Sequence, residues 1–138
     1  MNYYLMPAMK ETFMQNHTFT TDEVRAFVYD VEERFGLKPG TLERRDSITK
    51  RPMKEFKGIS LPVLRKAIII HVYQQGYISV RDLGKALGSD HSSISEARSV
   101  GFRQLSYKDE RLMQHLEKVE QLSIKSFLTL SNMMKKAG

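Results

Sequence analysis

Apolar positions from Thr20 onward recur at helical rather than strand spacing. Val24, Phe27, Val28, Val31 and Phe35 fall on one face of a helix. Thr20-x-x-Glu23 is a capping-box start, Asp22 and Glu23 suit its positive end, and Gly36 supplies the stop. Ser60 opens a second helix over Leu61–Gln75, with Pro62 tolerated in its first turn and Gly76 ending it. There Leu64, Ala67, Ile68 and Val72 form a stripe that Ile69, Ile70 and Tyr73 widen. A helix apolar around so much of its circumference belongs at the centre of a core.

Ser79-x-x-Asp82 starts a short helix running to Leu87, with Val80, Leu83 and Leu87 inward. Gly88-Ser89 breaks it. Asp90 or Ser92 caps the next helix, which runs to about Leu105 with Ile94, Ala97 and Gly101 toward the core. A short helix, a Gly-containing turn and a second helix make a helix-turn-helix. A last helical segment from Lys108 to about Lys135 carries Leu112, Leu116, Val119, Phe127, Leu130 and Met134, with Ser123 and Ser126 interrupting any clean heptad. The pattern predicts an all-α, compact helical domain with a central helix, a helix-turn-helix and a long C-terminal helix. Its organisation is an N-terminal arm or tail over 1–19, the helical domain over 20–124 and a helix extension over 125–138.

Between the first helix and the central one the pattern changes. Pro39-Gly40 is turn chemistry, Leu42 anchors a short helical turn, and Pro52 and Gly58 prevent one continuous helix. Between Glu43 and Lys66 the basic residues are Arg44, Arg45, Lys50, Arg51, Lys54, Lys57, Arg65 and Lys66, against Glu43, Asp46 and Glu55. That leaves +5 of the chain's +6 in one stretch. Such clustering favours a polyanionic partner.

Other classes find little support in the 138 residues. There is no cysteine, which excludes disulfides, thiol catalysis and cysteine-ligated zinc. His17, His71, His91 and His115 are scattered without metal spacing, and His71 reads as a core residue. No P-loop pattern exists, and the pair Glu32–Glu33 reads as a solvated helix face. Apolar runs such as Ala67–Ile70 fall far short of a membrane span, and the start does not read as a secretion signal. The expectation is a cytoplasmic binding module with no enzymatic activity, cofactor, metal or membrane contact.

The first turns of the helix near His91 expose a run of small hydroxyls, Ser92, Ser93 and Ser95, followed by Glu96. Serine is a poor helix former, but it lets a helix approach a phosphate backbone and the groove edges closely. N-terminal capping on an ordinary surface is the competing explanation of the same serines. Here the chain resembles a known family. Leu83-Gly84-Lys85-Ala86-Leu87-Gly88-Ser89-Asp90-His91-Ser92-Ser93-Ile94 is similar to the signature of the C-terminal duplex-binding domain of the bacterial replication initiator DnaA, Ile-Gly-x-Ala-Phe-Gly-Gly-Arg-Asp-His-Thr-Thr-Val. The likeness runs from about Asp22 to Leu122. In this chain the turn is one residue shorter and lacks the Arg before Asp90. Glu96 stands where the family often has a base-reading His, the basic loop is longer, and the ATPase domain is missing.

The resemblance implies sequence-specific binding of double-stranded DNA, serving replication or transcription. Asp90, His91, Ser92 and Ser93 fall on the family's base- and phosphate-contacting positions, with Ser95 and Glu96 on the same helix. Arg65 falls on a DNA-contacting basic position, where it and Lys66 are expected to clamp a phosphate or read guanine. Arg44, Arg45, Lys50, Arg51, Lys54 and Lys57 match a basic loop that reaches toward the minor groove. The alternative keeps the fold as a protein-docking adaptor or regulator, with a protein partner or a homodimer formed through the C-terminal helix.

Overall fold

The computed structural model describes residues 17–43, 55–56 and 59–137. The first helix, α1 (Thr21–Arg34), begins with the full capping box: the Glu23 amide donates to Thr20 Oγ1 (3.1 Å) and the Thr20 amide donates to Glu23 Oε1 (2.9 Å). Its apolar stripe, Val24, Phe27, Val28 and Val31, is buried, and Glu32 lies buried beside it. This overturns the solvated-face expectation for Glu32, while Glu33 is exposed. A single 3₁₀ turn at Thr41–Glu43 buries Leu42. Among the described residues of the next stretch, β1 (Glu55–Phe56) pairs antiparallel with β2 (Ile59–Ser60), a small hairpin that helical periodicity does not signal.

The central helix α2 (Leu61–Gln75) is buried around most of its circumference, from Leu61 to Val72. Ser60 occupies its N-cap position but makes no side-chain cap bond. Pro62 at the second helical position removes one of the two amides that such a hydroxyl normally receives. On α2 pack α4 (His91–Ser106), α5 (Glu110–Leu122) and α6 (Ile124–Ala137), with α5 and α4 making its most extensive contacts, while α3 (Val80–Leu87) packs against α1 and α4. The core is one cluster running from Phe19 to Ile124. None of these helices is long and apolar enough to cross a membrane.

Contacts beyond the local pattern fix both ends of the helical domain. Residues 17–19 run beside Tyr77: the Phe19 amide donates to the Tyr77 carbonyl (2.7 Å), the Tyr77 amide to the His17 carbonyl (2.9 Å), and Phe19 is buried. The C-terminal segment divides at Ser123, whose φ of 51° ends α5. Ser123 Oγ then accepts from the Ser126 amide, capping α6, and Ile124 is fully buried. Phe127 on α6 reaches the Phe27 ring of α1 at 6.0 Å, so the C-terminal helix is packed against the domain.

His71 joins that break to the core. It is 2 % exposed, and its Nε2 accepts the Ile124 amide at 3.0 Å. Burial lowers its pKa from 6.5 to about 4. The folded protein therefore holds His71 neutral where the unfolded chain would already bind a proton. Stability falls as pH drops below 6.5 and levels out near 4. At pH 5 the expected loss is about 2 kcal/mol relative to neutral pH. His71→Gln retains an acceptor for Ile124 and cannot titrate. Urea unfolding of both proteins between pH 7 and 5 checks this: the wild type loses that stability, and the variant lacks this component of the loss.

Candidate nucleic-acid interface

The helix-turn-helix is α3, the bend at Gly88–Asp90, and α4. Ser79 caps α3 by accepting the Asp82 amide (3.1 Å). Two side chains of α1 hold the helix in place: Thr21 Oγ1 donates to the Asp82 carbonyl (3.3 Å) and Arg25 Nη2 to the Lys85 carbonyl (2.8 Å). Two glycines make the bend. A Cβ at Gly84 would run into the Ser89 carbonyl oxygen, and Gly88 has φ +65° and lies against Glu43. Gly84→Ala is expected to cost about 1–3 kcal/mol, because backbone must shift to make room. A thermal melt that leaves the variant unchanged would contradict this packing.

Asp90 is the N-cap of α4, its Oδ1 accepting the Ser93 amide at 2.7 Å. Ile94 and Gly101 are buried, and Gly101 lets α4 cross α2 closely, with Ile70 Cδ1 3.1 Å from where a Cβ would stand. The opposite face carries His91, Ser92, Ser93, Glu96, Ser99 and Arg103, all exposed, with Ser95 half-buried. The second helix thus presents the His-Ser tip to solvent.

Arg65, Lys66, Ser93 and Glu96 line a shallow groove of about 300 Å³ between the starts of α2 and α4. Arg65 and the tip therefore share one side of the molecule. Arg65 nevertheless sits deep: it is 8 % exposed and its Nε donates to the Leu42 carbonyl at 2.9 Å. The expectation of a projecting clamp gives way to a side chain that ties the 3₁₀ turn to the central helix. Lys66 is half-buried and donates to Gln104 Oε1 (2.8 Å). Arg98 stacks over the Tyr73 ring at 4.8 Å.

Arg44, Arg45, Lys50, Arg51, Lys54 and Lys57 lie outside the described residues. The flanks of their segment are described. Glu43, the residue before it, packs its Cβ 2.9 Å from where a Gly88 Cβ would stand, against the bend of the helix-turn-helix. After it the chain passes through Ile59–Ser60 into α2, whose Pro62 and Arg65 line the same groove as Ser89 and Ser93. Both flanks thus lie beside the tip of α4.

A further residue holds this corner. Glu32 is fully buried, and its carboxylate accepts the amides of Gly40 (3.0 Å) and Leu42 (2.8 Å). Burial raises its pKa, and the backbone amide bonds only partly offset that. Glu32, Leu42 and Arg65 form one chain of contacts from α1 through the 3₁₀ turn to α2. Sequence reasoning missed Glu32, although its spacing from Val24 and Val28 puts it on the buried stripe.

Charge is unevenly shared. Residues 17–43 and 59–133 contain thirteen basic and thirteen acidic side chains, so the helical body is neutral. The excess of +6 resides in 44–58 and in Lys135 and Lys136. Among the described residues no group of three His, Asp or Glu side chains is placed to hold a metal ion.

No family model, curated protein or solved structure matches this chain.

Proposed function

We propose that the protein binds double-stranded DNA, with α4 entering the major groove and the basic segment 44–58 following the backbone or minor groove. One observation carries this reading: the exposed His91-Ser92-Ser93 tip, on the second helix of a helix-turn-helix, lies beside both flanks of the segment that holds most of the excess charge. A helix of this bore fits the B-form major groove, and short hydroxyls reach base edges and adjacent phosphates. The neutral body orients the tip, and the segment supplies the attraction to phosphate.

The sequence likeness to the duplex-binding domain of the DnaA family supports the same reading. On it the protein is a cytoplasmic, sequence-specific DNA-binding module, acting in replication or transcription and catalysing no reaction. Glu96 changes what the tip can select. A carboxylate accepts from the exposed amino group of cytosine and repels phosphate, so the preferred site differs from the initiator's own. That exposed carboxylate also favours a second reading, a protein-docking adaptor of the same fold.

Selection from random duplexes at a stated salt concentration, followed by competition with duplex RNA of the selected sequence, tests the proposal. Enrichment of a DNA motif that the RNA does not compete away is expected, because the A-form major groove does not admit a helix. Absence of any motif, or equal competition by the RNA, contradicts it.

A further inference from the structure

Helix α5 sorts its charges by sign. Glu110, Glu117 and Glu120 face one flank together with Met113, which is 42 % exposed. Arg111 and Lys118 face the other. A seven-residue spacing produces the separation: Glu110 and Glu117, Arg111 and Lys118, and Gln114 and Gln121 each recur two helical turns apart. Surface helices usually interleave opposite charges three or four apart, as α1 does with Asp22–Arg25 (3.7 Å) and Asp30–Arg34 (3.9 Å). Among the described residues, the charged side chains of α5 make no ion pair. Glu117 and Glu120 instead stand three apart with like charge, and partial burial, reinforced by that neighbour, raises the pKa of Glu120.

The cationic flank borders a groove of about 760 Å³. Arg34, Arg111 and Lys118 rim it, Phe35, Ile59 and Leu122 give it apolar lining, and no carboxylate lines it among the described residues. A duplex presents mainly phosphates here, its apolar thymine methyls being recessed in the major groove, so the complementary surface is proteinaceous. An acidic surface with one protruding apolar side chain fits it. The opposite flank of α5 offers that: three glutamates around Met113, with Lys108 the one cation in its lining among the described residues.

We infer that α5 is a self-association helix, the glutamate flank of one copy seating on the cationic groove of the next, with Met113 against Phe35, Ile59 and Leu122. A twofold contact through either flank would set like charges together, so the sorting selects a head-to-tail contact between different faces. Such contacts repeat into short open chains. Exposed ion pairs are individually weak and screened by salt, so the association is concentration-dependent and salt-sensitive. The inference goes beyond DNA binding and does not rest on it, because α5 lies outside the tip and the basic segment.

Sedimentation velocity of the full chain without DNA tests it, at about 0.05 M and about 0.5 M salt. The wild type is expected to gain mass with concentration at low salt and to return to monomer at high salt. Arg111→Ala with Lys118→Ala removes the two groove cations that α5 supplies, and Glu117→Ala with Glu120→Ala removes two of the three glutamates of the opposite flank. All four residues are exposed and alanine favours helix, so both double variants are expected to fold with unchanged circular dichroism. Each alone stays monomeric. Mixed, they form a heterodimer that grows no further, because each retains one intact face. A wild type that is monomeric at low salt, a double variant that still associates, or a mixture that stays monomeric overturns the inference. A monomer whose groove instead binds a fluorescein-labelled Glu/Phe peptide through Lys118 also overturns it, and gives the groove to an acidic partner.

Discussion

Replacing Arg44, Arg45, Lys50, Arg51, Lys54 and Lys57 with glutamine is expected to abolish most of the salt dependence of duplex binding. The six substitutions take the net charge from +6 to zero. The helical body is already neutral, with thirteen positive and thirteen negative side chains over 17–43 and 59–133. Nothing in it replaces the lost attraction in bulk. With about five phosphates neutralised by the wild type, the log–log salt slope is near −4.5, and it moves toward zero in the variant. Near 0.1 M salt, affinity falls by roughly three to four orders of magnitude. Fluorescence anisotropy across a salt series measures both quantities. An unchanged slope would assign the phosphate contacts to the exposed cations of α3 and α4, Arg81, Lys85 and Arg103, and remove the segment from the interface.

The second large effect is structural. Glu32→Ala strands two amide donors, those of Gly40 and Leu42, in a corner where Thr41 and Leu42 are buried. Each buried polar group left without a partner costs about 1–3 kcal/mol, so the variant is expected to lose about 3 kcal/mol. That is a large share of ordinary domain stability. Glu33→Ala, one residue along and exposed, is the control and is expected to change stability by less than about 0.5 kcal/mol. Urea unfolding distinguishes the two. The pH dependence carries a further signature. Because burial raises the Glu32 pKa, its contribution is most favourable below the ordinary carboxylate range and is lost as pH rises through the raised value. This is opposite in sense to His71.

The same corner links stability to binding. Leu42 receives the Arg65 guanidinium on its carbonyl, and Glu43, the last described residue before the basic segment, packs against the bend at Gly88. Loosening Glu32 therefore disturbs the point from which the segment departs, and duplex affinity should weaken beyond what the unfolded fraction explains.

Much of this architecture is written in local pattern. The stripe Val24, Phe27, Val28, Val31 and the capping box at Thr20 specify α1, and the glycine-punctuated run from Ser79 to Gly101 specifies the helix-turn-helix. What escaped notice were charged residues at buried positions. Glu32 lies four residues beyond Val28, so the helical period puts it inside, yet a carboxylate ordinarily signals the surface. Only the amides of Gly40 and Leu42, folded back from the next turn, make its burial tolerable. Arg65 follows Leu61 by four residues on the central helix and is buried for the same geometric reason, satisfied at Nε by a distant carbonyl. Such tertiary bonds leave no local trace. The division at Ser123 is similar: serine has no preference for positive φ, and the break depends on His71 receiving the Ile124 amide from 53 residues away.

The tip of α4 permits the most direct test of DNA binding. Because the chain contains no cysteine, Ser92→Cys gives a unique thiol to which an iron chelate can be attached. A second protein with Leu130→Cys, on exposed α6, serves as reference. With duplex bearing the selected site, hydroxyl radicals from position 92 are expected to cut both strands within the site, in the stagger that marks a source in the major groove, while position 130 cuts at background. Uncut DNA from position 92, or equal cutting from position 130, would contradict a recognition role for this helix.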